Sequence, residues 1–259
     1  MKKILFFIII LSLLTACAHK QQNPWKDYEG KSSGEIFYQG EQHLAKKKYA
    51  KAVMDFSALD ALYPFGPYSQ QGQMDMIYAT YMNDDYPSGL AAADRYIRLY
   101  PQDPHIDYVY YMKGLMSFEE DFNWYQNLLN MDPAPHDLSG KRESFTAFNQ
   151  VVRIYPHSLY VSDSALHMSF IRNMMARKEM IIADFYMERK AYIASANRAL
   201  GVVQHFSGSP SVPHALEVMT ISYKNAGLPD LADKSYRILA ASYPNSPEFR
   251  RLQHAYHKI

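Results

Sequence analysis

Residues 40–64, "GEQHLAKKKYAKAVMDFSALDALYP", hold the pattern from which the rest of the chain is read. Gly40 stands twelve residues before Ala52, Phe56 follows four later, and Pro64 eight after that. Ala52, Phe56 and Leu59 are spaced by four and three, so they share one face of a helix. Small residues at Gly40 and Ala52 let two helices cross closely, and the Phe56 ring fills the space between them. Pro64 ends the pair because a proline cannot continue a helix. The stretch predicts one helix-turn-helix unit.

The unit recurs. Tyr63-Pro64, Tyr100-Pro101, Tyr155-Pro156 and Tyr243-Pro244 each close a helical segment, and Phe206 in "VVQHFSGSP" holds an equivalent place. The spacings are 37, 55, 51 and 37 residues. The short ones fit a 34-residue helix pair with a slightly long turn, and the others fit the same pair with about 18 and 14 residues added. The interiors agree: Gly89, Ala93, Tyr96 and Pro101 in the second unit, Gly114, Phe148 and Pro156 in the third, and Ala232, Tyr236, Leu239 and Pro244 in the last. This spacing resembles the tetratricopeptide repeat. Apolar residues keep helical period throughout and strand signals are nearly absent. One such unit cannot bury its apolar face alone and must stack on a neighbour. The expected fold is all-α, a tetratricopeptide solenoid of about five helix-turn-helix units. Most of the 22 tyrosines and the other rings are expected in its interfaces.

One junction carries more than a turn requires. In "ALYPFGPYSQQ" (61–71), Pro64, Gly66 and Pro67 end one pair and set the angle to the next, yet the other four junctions manage without "FGPYSQQ". Tyr63, Phe65 and Tyr68 supply rigid aromatic walls, and Gln70 and Gln71 supply amides able to pair with a peptide backbone. Two roles fit these five residues: a groove for an extended peptide, or packing beneath the turn.

The amino-terminal stretch has its own chemistry. Lys2 and Lys3 precede an apolar run from Ile4 to Leu14, too short for a membrane-spanning helix and suited to a signal peptide. It ends in Leu14-Thr15-Ala16-Cys17, and Cys17 is the only cysteine. Leu-Thr-Ala-Cys resembles the bacterial lipobox, which implies cleavage after residue 16 and a lipid on Cys17 that anchors the chain stably. Ala18 rather than an aspartate favours the outer membrane. Residues 17–34 are polar and broken by Pro24, Gly30 and Gly34, as a lipidated flexible tether would be. Without residues 1–16 the chain has 25 basic and 26 acidic side chains, which gives no electrostatic reason to bind nucleic acid.

Signs of catalysis are missing. No Gly-x-Ser-x-Gly, phosphate loop, dinucleotide turn or His-Glu-x-x-His occurs. His254 and His257 have helical spacing but no carboxylate beside them, so no metal site is expected. Glu119, Glu120 and Asp121 are consecutive and point to different helix faces. They read as a solvated rim rather than a glycosidase pair. The chain is expected to be a binding scaffold, with no cofactor beyond the lipid on Cys17.

Four segments, "YPFGPYSQQ" (63–71), "AAADRYIRLYP" (91–101), "IDYVYYMKGL" (106–115) and "FYMERKAYIASANR" (185–198), together with the lipobox, resemble the BamD family over almost the whole mature chain. These are tetratricopeptide lipoproteins of the outer-membrane β-barrel assembly machine. The resemblance implies a non-enzymatic protein on the periplasmic face of the outer membrane. Its N-terminal repeats (35–160, with an insertion near 119–143) would receive C-terminal segments of unfolded outer-membrane proteins. Its C-terminal repeats (161–259) would bind a BamA-like barrel protein, with Arg198 and its neighbour Asn197 in the contact surface. Other assembly lipoproteins would be further partners. One departure stands out: Asp132-Pro133-Ala134-Pro135-His136-Asp137 lacks the arginines that relatives often carry there, which puts in doubt any lipoprotein contact made through them. A tetratricopeptide lipoprotein of pilus assembly or DNA uptake is the alternative function.

Overall fold

The computed structural model describes residues 23–119 and 138–256. Cys17, the signal segment, Glu120, Asp121, Asp132 to Asp137 and His257 lie outside the described residues, as does most of the insertion. Among the described residues there are eleven α-helices and no strand, and no helix is long and apolar enough to cross a membrane. The helices are α1 (Ser33–Ala45), α2 (Tyr49–Leu62), α3 (Ser69–Met82), α4 (Tyr86–Leu99), α5 (Ile106–Glu119), α6 (Ser139–Ile154), α7 (Val161–Glu188), α8 (Tyr192–His205), α9 (Val212–Asn225), α10 (Pro229–Ser242) and α11 (Pro247–Tyr256). The expected repeats are the pairs α1/α2, α3/α4, α5/α6, α7/α8 and α9/α10, with α11 left over.

The five junctions share one backbone geometry. Tyr63, Tyr100, Tyr155, Phe206 and Tyr243 all cap their helix with φ from −122 to −136 and ψ from 40 to 60. Each donates its N–H to the carbonyl four residues back, and its own carbonyl accepts the N–H of the residue three on. Phe206, matched to the tyrosines only by its place in the spacing, follows the same geometry. Four residues before each marker stand Leu59, Tyr96, Val151, Val202 and Leu239, all fully buried.

Within four of the pairs the turn is also repeated. Lys48, Asp85, Ala191 and Leu228 donate N–H bonds of 2.8–3.0 Å to the carbonyls of His43, Thr80, Tyr186 and Tyr223. The residue before each donor is left-handed: Lys47, Asp84, Lys190 and Gly227. This is the Schellman helix ending, which favours glycine at the left-handed position. Only the last pair has one. A side chain with a β-carbon is strained there, so Lys190→Gly should stabilise the protein by about 0.5–1 kcal/mol, net of the glycine's greater unfolded-state entropy. Urea unfolding should show the midpoint rise.

The chain divides into two compact units, the first ending at Gln73 and the second beginning at Met74. In the first, α1 crosses α2 where Gly40 meets Phe56; a β-carbon on Gly40 would lie 2.6 Å from the ring. Ile36, Ala52, Phe56 and Leu59 form the core. Set among them is Asp55, only 1% exposed. Its carboxylate accepts from Tyr28 Oη (2.8 Å) and Gln39 Nε2 (2.7 Å), and lies 2.5 Å from His43 Nδ1. The described part of the stretch read as tether is thereby fastened: Lys26–Tyr28 form a 3-10 turn and Tyr28 is buried.

In the second unit the crossing is repeated at Gly114, where a β-carbon would lie 2.6 Å from the Phe148 ring. Ser144 stands at the small position opposite and donates to the Gly114 carbonyl at 2.8 Å. The residues added in the fourth repeat lengthen its first helix: α7 runs for 28 residues. Its sequence contains neither glycine nor proline. It packs on α6 and α8 and also reaches α9.

Helix α11 is held to α9 by charge. Arg251 donates Nε and Nη2 to the two oxygens of the buried Glu217 at 2.8 and 2.6 Å. His214 lies 3.1 Å from Asp184 and 3.5 Å from Glu217. Hydrogen bonds to Asp184 and then Glu217 raise the His214 pKa from 6.5 to about 9. Because the folded value is the higher, its stabilisation is fully present below pH 6.5 and is lost as pH rises through 9. The ring is partly exposed, so we expect a contribution of about 1 kcal/mol. Wild type and His214→Gln should differ by that amount at pH 6 and converge by pH 9.5 in urea unfolding.

Candidate functional site

Two separate surfaces carry the residues singled out from the sequence, one in each unit. In the first unit, Tyr63 is half-buried and its hydroxyl donates to the Lys31 carbonyl at 2.6 Å, tying the junction to the chain just before α1. Tyr68 stacks on Phe37 with ring centroids 5.0 Å apart and planes at 21°, and lies 6.0 Å from Tyr38. Phe65 points the other way and is 94% exposed. Gln70 is half-buried and Gln71 exposed on the first turn of α3. The five residues therefore divide: Tyr63 and Tyr68 brace the turn and also present an edge, whereas nothing in the first unit covers Phe65.

The same unit offers a ring that sequence reasoning missed. Tyr38 is 59% exposed beside Tyr68 and lines an open groove of about 570 Å³ with Gly34, Glu35, Gln39 and Gln42. The Tyr38 ring beside the Gln42 amide is the pairing an extended peptide can use, one apolar contact next to one backbone partner, whereas Gln39 is already engaged by Asp55 and Lys31. Tyr38 follows Phe37 in the sequence, and one ring of an adjacent pair on a helix must face away from the core. That was the available signal.

In the second unit, Arg198 and Asn197 stand on the exposed face of α8. The Arg198 guanidinium is 46% exposed and donates to Glu179 of α7 at 3.1 Å. A half-exposed pair of this kind is worth little to stability and leaves the guanidinium available. Glu179 also borders a small cavity together with Leu138, Arg142, Met175 and Phe206. Among the described residues no cluster of histidine, cysteine and carboxylate side chains could hold a metal ion. Glu119 ends α5, and His254 lies on α11.

A family model described as "YfiO: Outer membrane lipoprotein" matches residues 29–238. The chain belongs to this family. Relatives named "Outer membrane protein assembly factor BamD" align along most of its length. That of Neisseria meningitidis serogroup B is 33% identical over 252 residues, 95% of this chain and 93% of the relative. The one from Pasteurella multocida is 33% identical over 242 residues, 93% and 91% of the two chains. The one from Vibrio cholerae is 32% identical over 205 residues, 79% and 85%. The BamD resemblance read from the four segments and the lipobox is therefore borne out. The match spans Tyr63 to Gln71 and both Asn197 and Arg198.

Proposed function

We propose that this chain is a non-enzymatic scaffold of outer-membrane β-barrel assembly, held at the periplasmic face of the outer membrane by a lipid on Cys17. The observation that carries this reading is kinship with outer-membrane protein assembly factors over nearly the whole length of both chains. In this account the second unit's Arg198 surface, within the repeats 161–259, meets the periplasmic domains of a BamA-like barrel protein. The exposed rings of the first unit, within the repeats 35–160, receive C-terminal segments of unfolded outer-membrane proteins. Other assembly lipoproteins dock elsewhere on the same scaffold.

Depletion of the protein tests the reading. Global loss of outer-membrane barrels is expected; loss confined to piliation or DNA uptake would instead place the chain in pilus assembly or competence.

The client surface has a cleaner probe than a double substitution with Tyr63, whose hydroxyl holds the junction. Phe65 is almost wholly exposed, so Phe65→Ala should leave folding within about 0.5 kcal/mol of wild type. It should weaken binding of a synthetic barrel C-terminal peptide about threefold to tenfold, the worth of one aromatic contact. Equal peptide affinity would remove Phe65 from the client surface.

A further inference from the structure

The fourth junction departs from the others in sequence. Where they have Tyr-Pro, it has Phe206-Ser207, and the Phe206 ring helps to wall a cavity of about 240 Å³ between the start of α6 and the middle of α7. The cavity is too small for most organic ligands, which fill about 300–1,000 Å³, and suits a single side chain. Its apolar side is built on Leu138, which is buried and packs with Met174 and Met175. Its rim is charged unevenly. Arg142 and Lys178 stand on it against one carboxylate, Glu179, and that carboxylate is engaged by Arg198 at 3.1 Å. Among the described residues no carboxylate pairs with Arg142. An apolar hole under a cationic rim complements a residue pair of opposite character: one apolar side chain to fill the hole and one acid beside it.

We propose that this cavity is a protein-docking socket, which takes one apolar side chain of a partner whose neighbouring residue is acidic. The partner's carboxylate pairs with Arg142 and replaces Glu179 on Arg198. Glu179 is then an internal stand-in: it keeps the Arg198 fork oriented while the surface is free and is displaced on binding. The inference rests on the reading of Arg198 as part of the surface that meets the barrel component. It adds the apolar anchor, the second arginine and the competing carboxylate.

Calorimetric titration of the full-length protein with purified periplasmic domains of the barrel component tests it. Arg142→Glu, at an exposed position, should weaken binding at least tenfold, with a smaller dependence of affinity on salt. Met175→Trp, which fills the hole, should do the same with helical content retained. Glu179→Gln should tighten binding about twofold to fivefold, because the stand-in is gone. Arg98→Glu, the same charge reversal at an exposed position of α4 outside this cavity, should leave binding unchanged. If wild type binds but Arg142→Glu and Met175→Trp bind within twofold of it, the socket is wrong while the Arg198 surface stands. Weaker binding by Glu179→Gln would overturn the displacement. No binding by wild type would remove the scaffold reading itself, and the socket with it.

Discussion

Replacing Asp55 by alanine is expected to destabilise the first unit by about 3–5 kcal/mol, the usual cost of breaking a buried charged network from one side. Asp55 is 1% exposed, and three side chains converge on its carboxylate: Tyr28, Gln39 and His43. Alanine leaves all three without their acceptor, and an orphaned buried donor costs about 1–3 kcal/mol by itself. Asp55→Asn keeps the shape and one acceptor oxygen, so it should cost roughly half as much. The effect should be local. Amide hydrogen exchange should accelerate in α1 and α2 and stay unchanged in α8 to α10. Trp25, whose ring lies 6.4 Å from Tyr28, should report the release of the 3-10 turn as a fluorescence change. Unaltered protection in α1 would show that the carboxylate is incidental. Tyr28 fastens the residues just before α1 to the first unit, so its release would free the 3-10 turn at Lys26–Tyr28.

Arg198→Glu is expected to weaken binding to the barrel component by about 10- to 100-fold, or ~1.4–2.8 kcal/mol. The substitution removes the guanidinium that bridges α8 to Glu179 and places a like charge opposite that carboxylate. Stability should change by less than about 1 kcal/mol, because the native pair is half-exposed and water screens it. Affinity and stability therefore separate, and this is the signature of an interface residue. Arg198→Lys should recover only part of the affinity, since an ammonium cannot reproduce a two-point fork. A folded Arg198→Glu protein with wild-type affinity would take Arg198 out of the contact surface.

The repeat was legible because its cause is periodic. Positions four residues before each junction marker must be buried wherever helix pairs stack, so Leu59, Tyr96 and Leu239 announced themselves by spacing, and the structure adds Val151 and Val202 at the same place. The helix ending inside each pair was not legible. Its left-handed residue is Lys47, Asp84 or Lys190 in three of the four cases, and none of these carries the glycine signal that Gly227 does. The added residues of the fourth repeat were countable but not placeable by spacing alone. An uninterrupted helical stretch from 161 to 188 absorbs them as lengthened α7. Asp55 was invisible for a different reason: a carboxylate on an apolar face reads as surface until the three donors that satisfy it are found.

At the candidate sites, what sequence supplied was residue type, and what it lacked was the partner. Tyr68 was singled out for its ring, and the partner that braces it is Phe37 on α1, which spacing did not show. Arg198 was singled out by its local segment, whereas Glu179 lies on a different helix and Phe206 on the next junction. Phe65, for which groove and packing both stood open, is an aromatic side chain in a turn with nothing of its own unit above it. The oddity of so many rings in one break between helices resolves into a shared junction geometry plus one exposed ring.

Affinity capture of the native full-length protein from detergent-solubilised membranes, read by mass spectrometry, tests the central claim most directly. The account predicts that the barrel-forming component of the assembly machine co-purifies with it, and that Arg198→Glu depletes that component from the eluate. Recovery of the protein without any barrel component, under conditions that preserve other outer-membrane complexes, would contradict it.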